Sequence, residues 1–224
     1  MAPASVIAMD GPAASGKTVV GLRLARRLGH RFVDTGAMYR AVTWLALERQ
    51  VPLDDDQALT RIAANLSFAI GDAPQDRVPR TYVNGRDLSV QIKSPEVDRS
   101  VSQVSKVPGV REALVKLQRR LADEESVVMA GRDIGTVVLP GAHLKVFLVA
   151  SAEERARRRY RELVARGVSV SPEDVLSDLK RRDKTDSERA LSPLKPAEDA
   201  KLIDTDNRGV DEVVEQIWRL AEKG

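Results

Sequence analysis

The segment that most constrains this chain is Asp10-Gly11-Pro12-Ala13-Ala14-Ser15-Gly16-Lys17-Thr18, which follows the apolar run Val6-Ile7-Ala8-Met9. Two glycines five positions apart, followed by Lys and Thr, form the Walker A pattern. The spacing has a chemical reason. Gly11 and Gly16 let the backbone wrap until successive N–H groups face phosphate oxygens. The N-terminus of the following helix adds positive potential. Lys17 supplies a point charge for β- and γ-phosphates, and the Thr18 hydroxyl can ligate Mg²⁺. After the loop, Val20, Leu24 and Leu28 recur at helical spacing and Gly29 ends the pattern. Strand, glycine turn and helix together predict an α/β chain of the P-loop NTPase type, with Gly11, Pro12, Ala13, Ala14, Ser15, Gly16, Lys17, Thr18 and Val19 holding ATP.

The rest of the chain extends that reading. Phe32-Val33, Val127-Val128-Met129, Leu144 to Val149 and Leu202-Ile203-Asp204 are short apolar runs suited to buried parallel strands. Helical patterns lie between them: Gly36 to Glu48, one capped by Asp54-Asp55-Asp56 and running through Leu59, Ile62 and Leu66, one starting at Ser94-Pro95-Glu96, and one carrying Val110, Leu114, Leu117 and Leu121. Ser151-Ala152-Glu153-Glu154 is a capping box before a strongly basic helix, and Ser171-Pro172-Glu173-Asp174 starts another. Val210, Val213, Val214, Ile217 and Leu220 mark the closing helix. Between Ser67 and Leu88 the character changes: Asn84-Gly85 sits between two β-prone triplets, a strong hairpin signal. A small antiparallel sheet is therefore expected inside a doubly wound, five-stranded parallel sheet.

Composition closes off several functions. The chain has 224 residues and no cysteine, which excludes disulfides and thiolate chemistry and fits a reducing cytoplasmic setting. His30 and His143 are the only histidines, so a His-rich zinc site is not expected. No run of about 18 apolar residues exists, and Met1–Ser5 has no basic stretch leading an apolar one, so neither a membrane span nor a signal peptide is expected. The net charge of +3 would admit a nucleic-acid partner. However, the basic residues crowd into Arg155–Arg189, interleaved with Glu and Asp. That arrangement suits a mobile segment closing over a small polyanion better than a DNA-binding patch.

Three further segments sit near the carboxyl ends of strands, where open α/β sheets bind ligands. Asp34-Thr35-Gly36-Ala37-Met38-Tyr39-Arg40 could hold a monophosphate and its sugar, or be a capped helix with a core tyrosine. Gly131-Arg132-Asp133 could meet a ligand or form a plain Arg–Asp pair. Arg181-Arg182-Asp183-Lys184-Thr185-Asp186-Ser187-Glu188-Arg189 could be a solvated helix face. Together they favour phosphoryl transfer: a triphosphate and a monophosphate carry about six negative charges that arginines must neutralise.

These segments, with Ser102-Gln103-Val104, Val110-Arg111-Glu112-Ala113-Leu114 and Gly131 to Val138, resemble the bacterial cytidylate kinases over nearly the whole chain. The resemblance implies γ-phosphate transfer from ATP to CMP or dCMP with Mg²⁺. It assigns Ser102, Arg111 and Asp133 to the cytosine edge, Arg40, Arg132 and Arg189 to the acceptor phosphate, and Tyr39, Arg182 and Asp186 to the sugar. Thr35 stands where relatives have Ser or Thr. Lys17, Arg132, Arg182 and Arg189 are the expected catalytic residues, and Arg157 and Arg158 are candidates for the transferred phosphate.

The resemblance also implies one domain over 1–224, with core 1–66, 105–150 and 196–224. An acceptor-binding insert of about 67–104 and a lid of about 151–189 complete it. Many relatives have a metal-supporting acid where this chain has Ala130, which leaves Asp10 or Asp133 as substitutes and Thr18 as the expected Mg²⁺ ligand. A monomer with no nucleic-acid or membrane partner is expected. The alternatives are a kinase of the same fold acting on UMP, AMP or a small alcohol such as shikimate, and a non-kinase P-loop protein that binds RNA.

Overall fold

The computed structural model describes residues 5–71 and 78–222. Along the chain, β1 (Val6–Asp10) leads into α1 (Lys17–Leu28), then β2 (Arg31–Asp34), α2 (Thr35–Glu48) and α3 (Asp56–Ala64). The short strands β3 (Phe68–Ile70), β4 (Thr81–Val83) and β5 (Arg86–Asp87) come next. A 3₁₀ turn at Gln91–Lys93 precedes α4 (Pro95–Val104) and α5 (Pro108–Glu124). The chain continues through β6 (Val127–Ala130), a π-helical turn at Ile134–Val138, β7 (Leu144–Val149), α6 (Ala152–Ala165), α7 (Pro172–Ser187), β8 (Lys201–Asp204) and α8 (Val210–Ala221).

Five strands pair in the order β2-β6-β1-β7-β8, all parallel. Both faces are covered, and the side-chain alternation shows it. On one face Ala8, Val33, Val127 and Met129 join a core with Met38, Val42, Leu59, Val104 and Leu114 from α2 to α5. On the other, Ile7, Met9, Phe32, Val128, Val146, Leu148 and Ile203 pack against Val20, Leu24, Val213 and Ile217 of α1 and α8. A period of two along each strand feeds both cores, which is why these strands are apolar throughout. The doubly wound fold expected from the sequence is observed.

Local rules set the element ends. Gly29 adopts a left-handed φ of 67° after α1, and its N–H and that of His30 close on Arg26 and Ala25 carbonyls at 3.3 and 2.8 Å. Ser94, Ser151 and Ser171 each accept a backbone N–H three residues on, capping α4, α6 and α7. Asn84 and Gly85 both have positive φ, and β3-β4-β5 pair antiparallel with Phe68 opposite Val83. Two details depart from the sequence reading. Helix α3 stops at Ala64, so Leu66 is buried from the loop beyond it. The π-helical turn at Ile134–Val138 was not anticipated.

Candidate active site

Strands β1, β2 and β6 end at Asp10, Asp34 and Ala130, and residues just beyond these ends, with Thr205 after β8, line a cleft of about 770 Å³. Helices α1, α2, α4, α5, α6, α7 and α8 supply most of the rest of the lining.

The phosphate loop forms one wall. Gly11 has φ 147°, and a Cβ there would lie 2.4 Å from the Leu148 carbonyl oxygen, so only glycine fits. Gly16, with φ 96°, caps α1 and turns the chain into the helix. The Lys17 ammonium lies inside the loop, donating to the carbonyls of Gly11 and Pro12 at 2.7 and 2.6 Å and to Ser15 Oγ at 3.2 Å. Burial pushes its pKa well below the ordinary lysine value, and Arg132 adds to that, while Asp34 and Asp10 oppose it. An anion beside this buried cation would be strongly favoured. Ala13 through Val19 line the cleft, whereas Gly11 and Pro12 are not part of its lining and turn carbonyls to Lys17.

Thr18 Oγ1 donates to Asp34 Oδ2 at 3.3 Å, and both residues line the cleft. This hydroxyl–carboxylate pair is a hard oxygen set of the kind Mg²⁺ takes. No group of three or more His, Asp or Glu among the described residues could hold a metal ion. A cation here would therefore draw most of its ligands from phosphate and water. The two carboxylates considered as substitutes at Ala130 are otherwise engaged. Asp10 accepts from the Ile134 and Gly135 amides, both at 2.8 Å, and Asp133 is paired with Arg111. Asp34 is the carboxylate that faces Thr18.

The opposite wall is built from charges. Arg111, in the first turn of α5, and Asp133, just past β6, form an ion pair in which both residues are 5% exposed. Arg111 also lies 5.7 Å from the centre of the Tyr39 ring, whose phenol is pushed up in pKa by burial. Arg132 Nε donates to Asp186 Oδ2 at 2.9 Å. Burial opposes ionisation of Asp186, yet Arg132 and Arg182 hold its carboxyl below the usual carboxylate range. Arg182 is pushed down to about 9, first by burial and then by Arg132 and Arg40, and stays cationic at neutral pH. Burial likewise disfavours the Arg189 cation. The Nε atoms of Arg182 and Arg189 are buried without a hydrogen-bond partner among the described residues. Both residues line the cleft, and guanidinium charges there suit an anionic ligand.

Every sequence-predicted substrate residue lines this one cleft: Thr35, Tyr39, Arg40, Ser102, Arg111, Arg132, Asp133, Arg182, Asp186 and Arg189. Thr35 also donates to the Ala130 carbonyl at 2.9 Å, tying α2 to β6. Arg158 lines the cleft and donates to Thr205 Oγ1 at 3.0 Å. Arg157 does not line it: its side chain is half exposed and pairs with Glu154. Sequence reasoning missed Asp98 and Arg159, which line the cleft, and Arg155, which is buried. Arg155 bonds the carbonyls of Ala150 and Ala13 at 3.0 and 3.3 Å and Asp183 at 2.7 Å, fastening α6 and α7 to the phosphate loop. Helical spacing was the available signal: Arg155, Arg158, Arg159 and Glu162 share one face of α6, and Arg157 does not.

The cytidylate kinase family model matches residues 7–223. The chain is 46% identical to a cytidylate kinase of Bacillus licheniformis, over 97% of this chain and 96% of that protein. It is 49% identical to one of Desulforamulus reducens, over 97% of each. It is also 50% identical, over 96% of its length, to a bifunctional pantoate ligase/cytidylate kinase of Synechococcus sp., of which it spans 40%. Among solved structures, a gluconokinase of Sinorhizobium meliloti aligns over 99% of this chain and 95% of its own with TM-score 0.50 and 18% identity. That last likeness concerns the fold alone. With a family match over nearly the whole described length and near-half identity to stand-alone relatives, the chain belongs to the cytidylate kinase family.

Proposed function

We propose that the protein transfers the γ-phosphoryl group of ATP to CMP and dCMP, giving CDP and dCDP. The observation that carries this reading is the buried Arg111–Asp133 pair sharing one cleft with the phosphate loop. A carboxylate in that position accepts from the exocyclic amino group that cytosine has and uracil lacks, and Arg111 donates to the ring's acceptor edge. Ser102 lines the same cleft.

In this reading Lys17 and the loop amides hold the β- and γ-phosphates of ATP. Arg40, Arg132 and Arg189, which all line the cleft, take the acceptor phosphate. Tyr39, Arg182 and Asp186 face the sugar. Transfer is in-line. A phosphate oxygen of the acceptor bonds to the γ-phosphorus as the β–γ bridging P–O bond breaks, ADP leaves with that electron pair, and no covalent enzyme intermediate forms. Mg²⁺, held by Thr18 with Asp34 beside it, would neutralise charge on the β- and γ-oxygens. The arginines Arg132, Arg182 and Arg189 stabilise charge developing on the transferred group. The segment of about 67–104 acts as the acceptor-binding insert, and about 151–189 acts as a lid that excludes water. We take the enzyme to act in the cytoplasm as a monomer on small-molecule substrates. No helix among the described residues is long and apolar enough to cross a membrane.

The test is a coupled ADP-release assay with ATP, Mg²⁺ and each of CMP, dCMP, UMP, AMP and GMP. CMP and dCMP are expected to be the best acceptors. AMP or UMP as the best acceptor would remove the cytosine assignment, and no turnover with any monophosphate would remove the kinase reading.

A further inference from the structure

Asp98 stands in the first turn of α4, where the helix N-terminus favours a carboxylate. Its two oxygens are divided between two arginines from different elements. Oδ1 accepts from Arg40 Nη1 on α2, and Oδ2 accepts from Arg159 Nη2 on α6. The three side chains are 16% to 21% exposed and all line the cleft. Arg182 faces the same carboxylate closely enough for the two charges to act on each other. Burial works against the Asp98 charge, but Arg40 and Arg159 more than offset it and hold its carboxyl below the usual range. One carboxylate among three guanidinium groups is the charge arrangement of a bound anion.

We propose that Asp98 is a resident anion of the acceptor site: it holds Arg40 and Arg159 together until the acceptor's phosphate displaces it, and so sets the affinity for that phosphate. The inference rests on the reading above in which Arg40 takes the acceptor phosphate. Exchange favours the ligand for three reasons. At neutral pH a phosphate monoester carries about −1.5 to −2 charge against one for the carboxylate. It presents three acceptor oxygens, enough to reach donors that a two-oxygen carboxylate leaves unserved. Arg182 lines the same cleft and adds its charge. Between turnovers Asp98 screens three like charges that would otherwise repel each other across the cleft wall. An acceptor without a phosphate has nothing with which to displace it.

The experiment compares wild type, Asp98→Asn and Asp98→Glu by calorimetric titration with CMP and with inorganic phosphate, alongside steady-state kinetics. Asp98→Asn is expected to bind both anions more tightly, by on the order of tenfold, the scale of one charge-assisted hydrogen bond. The KM for ATP is expected to stay at the wild-type value, and Asp98→Glu is expected to return the anion affinities toward wild type. If Asp98→Asn does not fold, Asp98→Ser replaces it with the same expectation. Unchanged or weakened binding of both anions in a folded variant would overturn the proposal while leaving the kinase reading intact. If wild type neither binds nor phosphorylates CMP, the functional reading fails, and the inorganic phosphate arm alone judges Asp98.

Discussion

The two walls of the cleft solve one electrostatic problem by different means. The donor wall is a single run, residues 10–18, whose field comes from backbone amides, a helix end and one lysine seated on its own loop. The wall that we propose takes the acceptor draws Arg40, Asp98, Arg111, Arg132, Asp133, Arg182 and Arg189 from α2, α4, α5, α7 and the loops after β6 and α7. A backbone cradle needs only the right φ at a few glycines, so it is compact in sequence and carries no base specificity. A side-chain cradle needs long-range pairing to hold like charges side by side, and on the proposed reading that pairing is where an acceptor is recognised.

The largest expected effect falls on the donor wall. Lys17→Ala should lower kcat by on the order of 10²–10³-fold, the scale of losing one preorganised charge at a developing anion, with an unchanged circular dichroism spectrum. Near-normal turnover would mean that the loop is not the donor site.

Asp10 joins the two walls, since it ends β1 and accepts from the amides that follow Asp133. Its pKa is raised from the ordinary 3.8 to about 6, chiefly by burial. The folded state thus binds this proton more tightly than the unfolded state. The resulting stability is present below about pH 4 and lost as pH rises through about 6. Relative to Asp10→Asn, wild type should lose about 2 kcal/mol between pH 4 and pH 7, measured by denaturant unfolding at each pH. A constant difference across that range would show that Asp10 is not a strained buried acid.

On the acceptor wall, Asp133→Asn should reduce the CMP-to-UMP ratio of kcat/KM by roughly 10- to 100-fold, as expected for one charge-assisted hydrogen bond. An unchanged ratio would place base recognition elsewhere. The smallest effect is a paired control. Arg181 is 70% exposed and bonds Asp178, so Arg181→Ala should alter the KM for CMP by less than about twofold. Its neighbour Arg182 has an unpartnered buried Nε, so Arg182→Ala should raise that KM by about tenfold or more. Equal effects would erase the distinction between cleft and surface arginines.

How much of this was legible follows the same division. The loop, the flanking strand and helix, and the Asn84-Gly85 hairpin are local, so their residues announce them. The doubly wound sheet followed from continuous apolar runs, because strands buried on both faces lose their alternation. The π-helical turn was illegible, since it is held by a carboxylate 124 positions away. Asp98 was hidden because a charge on a polar helix looks the same whether it faces solvent or a cleft, and spacing groups Arg159 with Arg155 and Arg158 without saying which face of α6 meets the cleft. Arg155 and Arg157 make the point two residues apart: one is 5% exposed and fastens the phosphate loop, the other has a half-exposed side chain and bonds a neighbour on its own helix. Asp34 read as a helix cap, and it is one, accepting from Gly36 N at 3.0 Å, but its second oxygen faces Thr18.

The central claim is that the two walls form one site holding both nucleotides at once. The most direct measurement is calorimetric titration with a molecule in which five phosphates join adenosine to cytidine, compared with ATP and CMP alone. The account predicts binding at least about a hundredfold tighter than either half, as joining two ligands in one site requires, with Lys17→Ala and Asp133→Asn each weakening it. Binding no tighter than that of ATP, or unaffected by Asp133→Asn, would contradict it.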